Sequence, residues 1–260
     1  MHAFAAIEAR EGRVGAHACC LDLQRRQIEA SRRPLNRLLG VLLALAHATI
    51  LVATALVLRV TRRERPEVML RRLGAHYPAV PEMVIHKGIE LASLRRRRYD
   101  GRGLDIGCGD GIVGSVLMAE VGPTELHGID EATLRSRAYA GYTVGDMQAL
   151  PYAASSFDYV VGICVVEHVP DLDAVLREAS RVLRPGGRLY LTTPAPAYRE
   201  AQLLFRLLRF LRLHRKAEAH LRFRDIMAKH LHFLTVEEWR RRLAEAGFEA
   251  VDIEPIFTRR

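Results

Sequence analysis

From Arg102 onward the chain alternates short apolar runs with helical patterns, and nothing else in it limits the fold as strongly. "RGLDI" reads as a strand and "IVGSVLMAEV" as a helix. "ELHGID" is a second strand ending at Asp130, and "GYTVGD" a third ending at Asp146. "SFDYVVGICVV" is a fourth, and its near-continuous apolar character predicts burial on both faces. "LDAVLREASRVL" has amphipathic spacing and stops at the Pro-Gly turn "RPGG", after which "RLYLTTP" is a fifth strand. "TVEEWRRRLAEAGF" carries its own signals: Thr235 as N-cap, Glu238 as capping-box partner and Gly247 as C-cap. "EAVDIEPI" reads as a sixth strand. Such alternation predicts an α/β fold, a doubly wound, mostly parallel sheet with helices on both faces.

The loop after the first strand, "GLDIGCGDGIVG", holds two overlapping motifs. Gly107, Gly109 and Gly111 give G-x-G-x-G; Gly109, Gly111 and Gly114 give G-x-G-x-x-G. Ligands of such sheets bind at the carboxyl ends of the strands, where Asp130 and Asp146 fall. An aspartate ending strand two suits the two ribose hydroxyls of an adenosine, a need shared by nicotinamide and methyl-donor enzymes. Asp105, two residues before the first glycine, separates the two. A carboxylate there repels a pyrophosphate but tolerates an amino group and a sulfonium, both carried by S-adenosyl-L-methionine. The glycines then allow close backbone approach without a phosphate.

The stretches "LDIGCGDG", "LHGID", "GDMQALPYAASSFDYVV", "VVEHVPD" and "LREASRVLRPGGRLYLTTP" occur together and in order. With the tail "HFLTVEEWRRRLAEAGFE", they make residues 100–256 resemble the class I S-adenosylmethionine-dependent methyltransferases of the ubiquinone/menaquinone-biosynthesis-like (methyltransferase type 11) group. The resemblance implies a Rossmann-like fold and a domain over 101–260. It implies that Asp105, Gly107, Cys108 and Gly109 hold the methionine part of S-adenosyl-L-methionine, Asp130 the ribose, Asp146 with the backbone of Met147 the adenine, and Cys164 the methionine side through its backbone. That group adds an antiparallel seventh strand after the sixth; here the sequence stops at Arg260, which leaves that edge open.

Methyl transfer needs an aligned nucleophile, and a phenol or amine acceptor also has to lose a proton. His168, in "VVEHV" just past strand four, is the candidate catalytic base, with Glu167 beside it; the bland alternative is a structural Glu-His pair. His230 and His232 in "KHLHF" read as structural or pocket residues. With no cysteine or carboxylate to complete a site, no metal is expected. The cysteines, Cys19, Cys20, Cys108 and Cys164, form no C-x-x-C pair and no disulfide framework, which fits a reducing compartment.

An insertion over 197–232 is expected to cap the substrate site. In it Leu203, Leu204, Leu207, Leu208 and Leu211 form an apolar stripe, with Arg206, Arg209, Arg212, Arg215 and Lys216 on the other side. Such a helix packs on its own domain or lies on an anionic bilayer. Upstream, Leu38–Leu58 contains no charged residue and is flanked by arginines. As a helix it would span roughly 31 Å, enough for a hydrocarbon core. A membrane helix at 38–58 in an N-terminal extension, 1–68, is therefore expected; the plainer reading begins the protein at Met69. Residues 69–100 read as a linker and a helix, "EMVIHKGIELASLRRRR", with Ile85, Ile89 and Leu91 or Leu94 on one face and Arg95–Arg98 as a solvated end.

The net charge of +9, from 39 basic against 30 acidic residues, is concentrated in arginine before residue 100 and in 199–224. Nucleic acid is disfavoured as partner, because neither an N-P-P-Y motif nor an aromatic-rich basic face is present. The expected function is methyl transfer to a small-molecule or lipid-like acceptor by a cytoplasmic catalytic domain at the inner face of a membrane, with association through 38–58 and 199–216. The alternatives are a nucleic-acid methyltransferase and a non-catalytic cofactor-binding module of the same fold.

Overall fold

The computed structural model describes residues 67–76, 81–122, 125–132, 139–196, 203–254 and 256. Five parallel strands form one sheet: β1 (Arg102–Ile106), β2 (Glu125–Asp130), β3 (Gly141–Val144), β4 (Phe157–Ile163) and β5 (Leu183–Thr192), in the order β3-β2-β1-β4-β5. The helices are α1 (Glu67–His76), α2 (Pro81–Leu94), α3 (Ile112–Val121), α4 (Leu172–Val182), α5 (Leu203–Phe210), α6 (His214–Ala228) and α7 (Val236–Glu245). The predicted α/β, doubly wound sheet is present.

Alternation of side chains along the strands gives the sheet two apolar faces. Leu104, Ile106, Ile129, Phe157 and Val160 pack beneath Leu172, Val175, Leu176 and Ala179 of α4 and Trp239 of α7. On the other face Leu126, Tyr159, Val161 and Ile163 meet Met69 and Leu73 of α1, Leu91 and Leu94 of α2, and Val116 and Leu117 of α3. Residues 67–76, read from the sequence as linker, are thus a helix whose Met69 and Leu73, one turn apart, are fully buried. Gly103 lies flat under the Tyr159 ring, where any Cβ would collide with it.

The sequence and the structure differ in three places along the edge. "RPGG" does not end before β5; it bulges within it, so that Leu183 pairs with Phe157 and Arg188 with Tyr159. A bulge keeps both ends of the strand in register while the unpairable Pro185 loops out. "EAVDIEPI" forms no strand among its described residues: Asp252 and Glu254 instead ion-pair with Arg97 and Arg96, and Arg240 donates to the Val251 carbonyl. Arg96 and Arg97 are therefore not purely solvated; they hold the tail. The helix expected over 235–247 has its capping box, with Ala246 at the C-cap and Gly247 one residue beyond, at φ 91°.

No helix among the described residues is long and apolar enough to cross a membrane. The Leu38–Leu58 run lies outside the described residues. The expected apolar stripe of the insertion is divided: Phe205, Leu208, Ala217 and Leu221 form a small core between α5 and α6, while Leu207 and Leu211 face outward.

Candidate active site

Strand order reverses between β1 and β4, so the loops that follow these two strands leave the sheet in opposite directions and open a crevice. Gly107 begins the first loop and Val165 lies in the second. A Cβ on Gly107 would stand 2.0 Å from the Val165 Cγ2 and 2.9 Å from the Met147 Cε, and the backbone there has φ 64°. Glycine is thus required twice over, for conformation and for room. The Gly107 and Cys108 N–H groups donate to the Ile129 carbonyl, which ties the loop to the end of β2.

Asp130 ends β2 and is 1% exposed. One of its oxygens accepts from the Gly109 N–H at 2.9 Å and the other from the Ala132 N–H at 2.8 Å. These bonds fix the carboxylate at the mouth of the glycine loop. A carboxylate oxygen can accept from more than one donor, a ribose hydroxyl among them. Asp146, two residues past β3, is exposed and accepts from the Gln148 N–H at 2.7 Å; Met147 between them is half-buried. Asp130 and Asp146 thus stand at the carboxyl ends of neighbouring strands.

Asp105 is placed differently. Its side chain lies on the α3 side of the sheet, 3% exposed, and accepts from the Tyr139 hydroxyl at 2.5 Å. Burial raises its pKa to about 7 against the opposing effects of that hydrogen bond and of the Lys87 charge. Gly114 of α3 packs directly above: a Cβ there would meet the Tyr139 hydroxyl at 2.1 Å. The third glycine of the apparent dinucleotide motif is therefore a packing glycine. Cys108 is buried nearby, and burial pushes its thiol up.

Beyond β4 the chain makes a sharp turn. Cys164 has φ 49°, its N–H donates to the Thr192 carbonyl at 2.9 Å, and its thiol donates to Glu90 at 3.0 Å. Lys87, one turn before Glu90 on α2, ion-pairs with it at 3.5 Å and donates to the Ile163 carbonyl at 3.1 Å. Burial lowers the Lys87 pKa, but the facing Cys164, Glu90 and Glu167 outweigh that and hold the ammonium charged.

The 3-10 turn Val166–His168 follows. Glu167 is 1% exposed; its Oε2 has no hydrogen-bond partner among the described residues, and burial pushes its pKa up to about 7 in spite of Lys87 and a hydrogen bond from Thr193. The His168 Nδ1 lies 3.1 Å from the Lys229 carbonyl. A carbonyl only accepts, so Nδ1 carries the proton and Nε2, 3.9 Å from the Glu167 Oε1, is the accepting nitrogen. The segment after α6 closes over this turn: the Leu231 N–H donates to the Glu167 carbonyl at 2.7 Å, and the His230 ring lies 5.1 Å from that of His168. His232 bonds to the Val169 carbonyl instead.

The two histidines singled out in "KHLHF" therefore separate. His230 joins Glu167 and His168, their candidate ligand atoms all within 4.8 Å of one another, so a carboxylate does reach a histidine pair. Lys87, Glu90, Tyr139 and Thr192 were missed. Apart from the Lys87–Glu90 pair, one turn apart on α2, their partners lie 28–102 positions away in sequence, and no local spacing announces the set.

A family model described as a methyltransferase domain matches residues 80–253. The chain is 32% identical over 182 residues to the 27-O-demethylrifamycin SV methyltransferase of Amycolatopsis mediterranei, covering 64% of this chain and 60% of that protein. It is 35% identical over 116 residues to the ubiquinone biosynthesis O-methyltransferase of Xanthomonas axonopodis, covering 40% and 48%. It thus spans less than two thirds of the length of either relative. A SAM-dependent methyltransferase from Thermotoga maritima has a similar fold, with a TM-score of 0.51 at 22% identity over 71% of this chain and 81% of that one.

Proposed function

We propose, from the premise that this chain belongs to the methyltransferase-domain family, that it transfers a methyl group from S-adenosyl-L-methionine to a hydroxyl of a small-molecule acceptor. The observation that carries this reading is Asp130: a buried carboxylate at the end of β2, fixed by two backbone N–H groups at the mouth of the glycine loop that leaves the switch point of the sheet. The donor set fits the group. Asp130 would take the ribose and Asp146 with Met147 the adenine. Gly107, Cys108 and Gly109 would line the methionine part, with Asp105 behind the loop and Cys164 closing the far side. When bound, S-adenosyl-L-methionine supplies an electrophilic methyl on a sulfonium.

The chain's own part in the reaction is to orient the acceptor and receive its proton. We assign that part to His168: with its Nδ1 bonded to the Lys229 carbonyl, the neutral ring presents Nε2 as the acceptor, 3.9 Å from the Glu167 Oε1. The names of the two curated relatives, both of O-methylating enzymes, support an oxygen acceptor. The closing segment after α6 supports a capped site. An amphiphilic acceptor, reached by a cytoplasmic domain held at a membrane by residues 38–58, fits the uncharged run in the sequence.

The test is radiolabelled methyl transfer to a panel of phenols, catechols, aliphatic alcohols and amines by the wild type and by His168→Ala and His168→Gln. Loss of a general base costs roughly 10²–10⁴-fold in turnover. We expect a loss of that order in both variants, with donor affinity unchanged. Full turnover in His168→Ala would remove His168 from the reaction. An acceptor methylated only on nitrogen would overturn the hydroxyl assignment.

A further inference from the structure

We infer that the tip of the α5–α6 hairpin is a docking surface for an anionic lipid bilayer. The hairpin uses Phe205, Leu208, Ala217 and Leu221 for its own small core. Four further large apolar residues around its tip are turned outward: Leu207, Leu211 and Leu213 are each exposed, and Phe210 is 83% exposed. Single exposed leucines are ordinary, but four large apolar side chains within seven consecutive positions are a patch. The tip backbone is satisfied internally. The Leu211, Arg212 and Leu213 N–H groups donate to the Leu207, Arg209 and Leu208 carbonyls. Entry into a low-dielectric interface therefore leaves these donors paired, which removes the main cost of inserting a turn.

Charge selects the occupant. Arg206, Arg209, Arg212, Arg215 and Lys216 are all exposed around the apolar tip, and residues 203–217 contain no acid. None of the five forms an ion pair among the described residues. A second copy of the chain would set five cations against five. A nucleic acid would neutralise the arginines but leave three leucines and a phenylalanine uncovered. An anionic bilayer matches both, with apolar side chains entering the acyl boundary and guanidinium groups at the phosphate level. This inference is independent of the methyl-transfer reading.

The full chain carrying Phe210→Trp supplies the probe, since Trp239 is buried in the main core and contributes a constant signal. Vesicles of phosphatidylglycerol and acyl-brominated phosphatidylcholine should shift the introduced indole to the blue and quench it. Vesicles of phosphatidylcholine alone, bromines included, should not. Adding Arg206→Gln, Arg209→Gln and Arg212→Gln should weaken partitioning roughly a hundredfold, at about a factor of five per basic residue near the surface. If that variant does not fold, loss of quenching on raising the salt from tens to hundreds of millimolar serves instead. Three results would overturn the inference. One is an indole unaffected by anionic vesicles, even with the chain bound through another segment. Another is equal quenching on neutral vesicles. The third is emission already blue before any lipid is added, which would assign the patch to a second copy or to the chain's own remaining residues.

Discussion

At the scale of single residues the site is organised by two buried acids with opposite surroundings. Asp130 is held by two N–H donors. Glu167 has one oxygen with no hydrogen-bond partner among the described residues and a pKa of about 7, against 4.5 for a free glutamate. Raised in the folded state, the Glu167 pKa makes the proton a stabilising ligand of that state. Its contribution is complete below about pH 4.5, where both states are protonated. It falls as the unfolded chain ionises and is gone once the pH passes about 7. The full swing is on the order of 3–4 kcal/mol, from 1.36 kcal/mol per pKa unit. Asp105 titrates in the same direction and window, so the wild type should lose stability from both acids. Urea unfolding midpoints at pH 5 and pH 7.5 are therefore predicted to converge in Glu167→Gln relative to the wild type. Parallel midpoints in the two proteins would show that Glu167 is not held protonated.

Elements differ in how much of their course is local. β1, β2 and α3 have the bounds that the sequence predicts, because their apolar patterns and the glycine loop between them are decided by neighbouring residues. The same holds for the start of α7, where Thr235 and Glu238 exchange hydrogen bonds. Thr235→Ala should cost about 1 kcal/mol in thermal or urea unfolding while donor affinity stays unchanged; a cost near zero would mean that the box only decorates the helix. Elsewhere distant partners decide. "RPGG" is turn-like in isolation, yet pairing of both of its flanks with β4 turns it into a bulge. The alternating tail 249–254 reads as a strand, yet Arg96 and Arg97 capture its acids. The site divides likewise. Asp130 and Asp146 were legible because strand ends are where ligands meet such sheets, and His168 because it follows β4. Lys87, Glu90 and Tyr139 were not, because helical or loop residues become site residues only when the fold delivers them.

For the whole molecule, the two-faced sheet is a platform whose crevice lies between the first and fourth strands. α1 and α2 cover one face as firmly as α4 and α7 cover the other. The α5–α6 hairpin, with its separate small core, is the part least engaged with that platform and the natural place for contact with a surface. The account as a whole rests on what the crevice binds. The most direct measurement is a calorimetric titration of S-adenosyl-L-methionine into the full chain and into Asp130→Asn, with circular dichroism showing both folded. Loss of a charge-assisted hydrogen bond is worth about 1.5–3 kcal/mol, or roughly ten- to a hundredfold in affinity. The account predicts micromolar-range binding to the wild type, as is common for such ligands, and a loss of that size in the variant. Equal affinity in the two proteins, or a folded wild type that does not bind, would contradict it.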